Sequence, residues 1–289
     1  MAAKHHEYSP EEVLAMVGTI PTFPNAVSQL MKQLKDPDTD LDEIASTISG
    51  DPGLCVQVLR MANSPLYRPG FSSPITLSIF RAVQLLGRKV MVSAVLSHAL
   101  RGMIRHSSLA EKLLWEHAIA CAVITAEVVR LMGSKNVETA YVCGLLHDVG
   151  KMIMCLKFPG DMHAILEDQY NQPLDEDSVL SSVAMERERL GIDHSRVGAV
   201  CLNVWQCGEE AAVASAYHHR PKDAGGRSVW PAVVRLADLF SHKMEYGPIR
   251  RPLMDLGPLE RALRLDRSQM GQYLERWRSK IEETLLTFS

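Results

Sequence analysis

Long apolar runs, a surplus of one charge and paired cysteines are all missing from this chain of 289 residues. Nowhere do 18 apolar residues follow one another without a charge, so no membrane span is expected. The charges nearly cancel, 31 Lys+Arg against 34 Asp+Glu for a net −3, and the pI is about 6.4. A dedicated nucleic-acid surface would show as a domain pI above about 9, so no nucleic-acid partner is expected. Cys55, Cys121, Cys143, Cys155, Cys201 and Cys207 include no Cys-x-x-Cys pair, and most sit in apolar runs. A zinc ribbon or a secreted disulfide framework therefore has no support. Met1 to Tyr8 carry no apolar core of a signal peptide, and a cytoplasmic location is expected. With 46% apolar and 22% charged residues the composition is that of a folded protein, with enough chain for one large core or two modest ones.

Strand alternation is scarce as well, and helix signals fill the space. Ser9-Pro10-Glu11-Glu12 places a cap, a first-turn proline and first-turn carboxylates before Val13, Leu14 and Val17. Asp51-Pro52 repeats that signal, and Asp40 stands ready to cap the run Leu41 to Ile48, which stops at Gly50. An amphipathic run from Pro74 ends at Gly87. Two long helices are expected next. One runs from about Leu109 to Met132 with His117 on its apolar stripe, and one from about Val137 to Leu156 carries Gly-Leu-Leu-His-Asp-Val-Gly-Lys. Further helices are predicted near 176–190, 194–206, 209–219 and 228–246, then a Pro/Gly-rich linker from Gly247 to Pro258 and one or two terminal helices, ending Trp277 to Phe288. The fold class is all-α, with no internal repeat.

The residues able to carry chemistry are His117, the pair His147-Asp148 with Lys151, His194, His218-His219 and Asp238. Imidazole and carboxylate donors together suit a divalent ion such as iron, manganese or zinc, which can activate water near neutral pH. Lys151, one turn beyond the pair, could neutralise a phosphate oxygen at the same ion. Taken alone, His117 reads equally as a buried histidine satisfied by a neighbour. His98 and His106, with Arg101 and Arg105, read as a solvated helix end, and His5-His6 as part of a frayed terminus.

Gly144 to Lys151, preceded by Trp115-Glu116-His117, resembles the metal-binding motifs of the HD superfamily of phosphohydrolases. Ile20-Pro-Thr-Phe-Pro24, Asp51-Pro52 leading to Arg60-Met-Ala-Asn-Ser-Pro-Leu-Tyr67, and Ala82-Val-Gln-Leu-Leu-Gly87 narrow the likeness to the HDOD family, the HD-related output domains of bacterial signalling. The resemblance implies an HDOD domain over 18–220, with a helical N-terminal lobe (18–108) packed on an HD-like lobe (109–220). A C-terminal helical extension (221–289) would contain Asp238. It also implies a regulatory module acting through signalling protein partners, with a small phosphorylated ligand as a further candidate.

By likeness to the HD-GYP phosphodiesterases, His194, His218-His219 and Asp238 match the later histidines and aspartate, so His117, His147, Asp148 and Asp238 would form the basic metal set. The Gly-Tyr-Pro ending is absent after His218-His219, where Arg220-Pro-Lys-Asp223 follows, and Leu113 stands where some of those enzymes place a glutamate. An HD-GYP phosphodiesterase is therefore not expected. The rival to the regulatory reading is a metal-dependent phosphohydrolase in which Asp148 and Lys151 serve catalysis.

Overall fold

In the computed structural model of the protein, which describes residues 9–18, 20–21, 23–64, 67, 75–103, 109–171, 179–225, 229–248 and 266–288, local start signals act where the sequence sets them. Ser9 caps α1 (Pro10–Val17) in a reciprocal capping box, its Oγ accepting from Glu12 N–H while Glu12 accepts from Ser9 N–H. Asp51 caps α4 (Pro52–Asn63) through the Leu54 N–H at 3.0 Å. Between them lie α2 (Asn25–Lys35) and α3 (Leu41–Ser49); Asp40 precedes α3 but makes no side-chain capping bond.

The remaining helices are α5 (Ile79–Met103), α6 (Leu109–Leu131), α7 (Val137–Leu146), α8 (Val149–Lys157), α9 (Pro159–Asn171), α10 (Val179–Leu190), α11 (His194–Val204), α12 (Glu209–Tyr217), α13 (Trp230–Lys243) and α14 (Met270–Phe288). No strand occurs among the described residues, and the protein is all-α. No described helix is long and apolar enough to cross a membrane.

The run that the sequence ends at Gly87 does break there: Gly87 takes φ +71° and ψ 165°, outside helical geometry, and a second helical segment follows to Met103. Two other expectations change. The helix expected over 137–156 is two helices, broken at His147-Asp148, where Asp148 leaves helical geometry (φ −103°, ψ 14°). Helix α9 had no sequence reading at all. His98 lies within α5 and is half-buried rather than at a solvated end, its ring packed where a Cβ on Gly53 would fall 2.9 Å away. His5, His6, Arg105, His106 and most of the Gly247–Pro258 linker lie outside the described residues.

The chain divides into two compact units, Thr22–Ile104 with Ser279–Ser289, and Met1–Pro21 with Arg105–Arg278. In the first, α2, α3 and α4 each pack on α5, burying Leu30, Ile44, Ile48, Leu54 and Met91. The Arg88 guanidinium donates to the carbonyls of Gln33, Asp36, Pro37 and Thr39, tying α5 to the α2–α3 turn. Asn63 closes α4 by pairing its amide with both backbone groups of Thr76, at 2.8 and 2.9 Å.

The second unit is built on α6, buried nearly all round from Leu114 to Val129. Against it pack α7 and α13; α8, α11 and α12 complete the bundle, with α9 and α10 beyond. Glycines set these approaches. A Cβ at Gly144 would lie 2.5 Å from the Cys121 carbonyl oxygen of α6, and one at Gly150 would overlap the His194 carbonyl of α11. The two glycines flanking the His-Asp pair thus let α6 and α11 close on it from either side.

Candidate metal centre

The break between α7 and α8 puts Asp148 at the middle of a ring of histidines. Its Oδ1 faces His194 Nε2 at 3.2 Å and His218 Nε2 at 3.5 Å. Its Oδ2 faces His147 Nε2 at 3.5 Å, His117 Nε2 at 3.7 Å and the Lys151 ammonium at 2.6 Å. Asp238 joins from α13, with Oδ1 3.4 Å from His117 Nε2. All eight residues named in the sequence reading come together here, and all but His219 are fully buried.

The rings are held in one sense. His147 Nδ1 donates to the Gly144 carbonyl at 2.8 Å, His218 Nδ1 to the Ser215 carbonyl at 2.8 Å and His194 Nδ1 to Glu186 Oε2 at 2.6 Å. His117 Nδ1 donates to Ser241 Oγ at 3.0 Å and reaches the Tyr246 carbonyl at 3.2 Å; the Ser241 hydroxyl proton itself goes to the Asp238 carbonyl. Each Nδ1 facing a carbonyl or carboxylate carries a proton, so each Nδ1–H points outward and each Nε2 inward; His117 and His194, whose Nε2 atoms face the Asp238 and Asp148 carboxylates and whose pKa values are raised to about 10 and about 9, carry a second proton there. That is the way metal-binding imidazoles are oriented by their outer partners. His219 is placed differently: its Nε2 lies 2.9 Å from His194 Nε2 and its Nδ1 3.3 Å from the Arg235 guanidinium.

Electrostatics favour a cation at this point. Burial alone would raise the Asp148 carboxyl, but the Lys151 ammonium and the imidazoles outweigh it and hold it well below the usual range. Burial likewise opposes a charged His117, yet Cys121 and Asp238 beside it lift its pKa to about 10. At His147 burial, with the neighbouring imidazoles, outweighs the Asp148 carboxylate and pushes the pKa down to about 3, leaving the ring neutral with its Nε2 lone pair facing inward. His147 Nε2 is buried with no hydrogen-bond partner, and Asp148 Oδ1 has only the imidazole nitrogens of His194 and His218 facing it. Buried polar atoms are rarely left so, and an ion between them would satisfy both. The donors fall into two groups, His117, Cys121, His147 and Asp238, and Asp148, His194, His218 and His219, each with its candidate atoms within 4.8 Å of one another. Imidazole and carboxylate donors so arranged fit a divalent metal.

A family model of the HDOD domain matches residues 20–221. The chain belongs to the HDOD family. Its fold is similar to that of an HDOD domain protein with unknown function from Geobacter sulfurreducens, at 25% identity and a TM-score of 0.70, over 95% of this chain and 96% of that one. A candidate phosphohydrolase from Shewanella amazonensis SB2B has the same fold at 21% identity, TM-score 0.72, over 96% and 98% of the two chains. A candidate signal-transduction protein from Marinobacter aquaeolei VT8 shares it at 18% identity, TM-score 0.74, over 99% of this HDOD protein and 62% of that chain. A curated relative, an uncharacterized protein of Treponema pallidum, is 22% identical over 207 residues, and this match spans 38% of its length.

Five members of the HDOD centre escaped the sequence reading, among them His242, whose Nε2 lies 3.2 Å from Asp238 Oδ1 and whose ring stacks on His117 at 4.4 Å. Cys121 and Ser241 were within reach of it, because Cys121 follows His117 by four residues on one helix face and Ser241 follows Asp238 by three. Arg235, which precedes Asp238 by three and pairs with its Oδ2 at 3.0 Å, was legible on the same ground, whereas Glu186 on α10 gave no signal, since only packing brings it to His194.

Proposed function

We propose that this HDOD protein is a regulatory module of bacterial signalling whose buried histidine–aspartate centre holds one or two divalent ions, iron, manganese or zinc, and which acts through contacts with signalling proteins. The observation that carries this reading is the ring of four histidines with every Nδ1–H anchored outward and every Nε2 turned toward Asp148. His117, His147 and Asp238 would hold one ion and His194 and His218 another, with Asp148 offering one oxygen to each group. When bound, such an ion supplies a Lewis acid and fixes the helices that carry its ligands.

Closure of the centre favours regulation over turnover. The candidate ligands other than His219 are each at most 2% exposed, which suits a structural site more than one with an open position. Lys151 is committed to Asp148 rather than turned outward toward a phosphate. An ion held better by one packing of α6, α8, α11 and α13 than by another shifts the balance between them, which is the physical requirement for a switch.

The second reading, a metal-dependent phosphohydrolase acting on a nucleotide or other phosphoester, is favoured by one feature, the buried carboxylate–ammonium pair Asp148–Lys151 beside two donor groups. In it Asp148 would hold the ions, while Lys151 would turn to stabilise charge developing on the phosphate. Elemental analysis of protein purified without chelator, beside Asp148→Ala, tests the common premise: stoichiometric metal lost in the variant is expected. Capture of specific protein partners with no phosphoester hydrolysis in the presence of manganese, iron or zinc supports the regulatory reading. Robust hydrolysis abolished by Asp148→Ala, without a specific partner, overturns it.

A further inference from the structure

We propose that the exposed face around Leu77, Arg81 and Leu85 is a docking surface for an acidic amphipathic helix of a signalling partner. The inference rests on the reading that the protein acts through contacts with signalling proteins, and it names where such a partner binds and what chemistry it carries. The face belongs to the unit Thr22–Ile104 with Ser279–Ser289, not to the unit that holds the metal centre. Charge along the chain is unevenly placed. Residues 52 to 110 include seven Arg and Lys and no Asp or Glu, while the remainder carries 24 Lys+Arg against 34 Asp+Glu. The near-neutral total thus hides one wholly basic stretch. Arg88 of that stretch is turned onto the α2–α3 turn, whereas Arg60, Arg81 and Lys89 are exposed.

Apolar side chains stand out among these cations. Asn63 at the end of α4 holds both backbone groups of Thr76, and the neighbours of Thr76, Ile75 and Leu77, are 71% and 83% exposed. Ser78 Oγ then accepts from the Arg81 N–H at 3.3 Å, fixing the start of α5. An apolar residue just before a helix cap commonly packs on the fourth helical residue. Here that residue is Ala82, which is fully buried, and Leu77 is left in solvent. Arg81 lies four residues after Leu77, and Leu85, half exposed, lies four after Arg81 on the same face of α5. On α4, which packs against α5, Val56 and Arg60 repeat the pairing, four apart and both exposed.

Clustered apolar side chains at a surface mark an interaction site, and the cations beside them choose the occupant. A helix with Leu, Ile or Met at every third or fourth position buries Leu77 and Leu85, while Asp and Glu along its edges pair with Arg81 and Arg60. Other occupants fit less well. Single-stranded nucleic acid stacks its bases on aromatic side chains, whereas the exposed apolar residues of this face are aliphatic. A second copy meeting the same face about a two-fold axis sets like charges against each other. A membrane surface is met by a broad apolar face with Trp, Phe or Leu buried in the lipid, and here an arginine stands between the two leucines.

Photocrosslinking of the full-length protein in cells tests this directly. A benzophenone amino acid in place of Leu77 is expected to capture a protein whose joined peptide, read by mass spectrometry, is acidic with apolar residues at helical spacing. Arg81→Glu should lower the yield roughly tenfold, the effect of about 1.4 kcal/mol, with helical circular dichroism and metal content unchanged. The same label in place of Val204, exposed on α11 in the other unit, serves for comparison. Capture of a signalling protein at Val204 with none at Leu77 overturns the surface and leaves the regulatory reading standing. A Leu77 crosslink to lipid, to nucleic acid, to a second copy of the chain or to a segment without an acidic excess overturns it as well. So does a yield that Arg81→Glu leaves at the wild-type level. No crosslink at either position overturns the surface and counts against the regulatory reading too.

Discussion

The Lys151 ammonium sits 2.6 Å from Asp148 Oδ2, one helical turn away, with both side chains almost wholly buried. A buried pair of this kind is worth little against an apolar replacement of both partners, but removing one partner leaves an uncompensated charge. Lys151→Met is therefore expected to destabilise the chain by about 3–5 kcal/mol in chelator, as read by urea unfolding. Zinc should recover part of that loss, because a bound cation replaces the missing positive charge. Equal stability of the two proteins in chelator would show that Lys151 does not neutralise Asp148.

Gly150 sits where α8 meets the His194 carbonyl, and Gly150→Ala forces a methyl group into that contact. Overpacking of this sort typically costs about 1–3 kcal/mol, occasionally more. The thermal midpoint should drop and metal retention should fall with it, because α8 carries Lys151 and α11 carries His194. A control at Gly102, whose added Cβ meets nothing within 4 Å, should leave metal retention unchanged.

Asp193 links acid stability to the position of His194. Its Oδ1 caps α11 through the Arg196 N–H at 3.1 Å, and its Oδ2 takes Arg187 at 2.7 Å. Burial would raise this carboxyl, but the charges of His194 and Arg187 and the capping bond outweigh it and hold it below the usual range. A carboxyl depressed in the folded chain contributes stability that is present above its unfolded pKa and lost as pH falls through the folded one. Wild-type protein should thus lose stability below about pH 4 more steeply than Asp193→Asn, with the difference largest at neutral pH. Parallel stability–pH curves for the two would contradict this.

Arg88 acts in the other unit. Its guanidinium serves four carbonyls that the α2–α3 turn leaves open, and Arg88→Met deprives them of their donor. A loss of about 1–3 kcal/mol is expected from hydrogen exchange at α2 and α3. Metal content should not change, since every candidate ligand belongs to the unit containing Arg105–Arg278.

Local chemistry made much of this protein readable in advance. A serine, a proline and a glutamate within four residues suffice to start α1, and Asp51-Pro52 to start α4, because a cap acts within its own turn. The histidines and aspartates of the centre were legible as residue types in a recognisable order, and the all-α class followed from their helical setting. Tertiary structure alone decided what those residues do to one another. It broke the expected helix at His147-Asp148, anchored each Nδ1 outward, turned each Nε2 toward Asp148, set His219 against His194 and brought in Glu186 from α10 and Cys121 from the turn after His117. The physical reason is range. Propensities and caps operate over a few residues, whereas the side on which an imidazole finds its acceptor depends on how closely helices distant in sequence can pack, and that distance was set by Gly144 and Gly150.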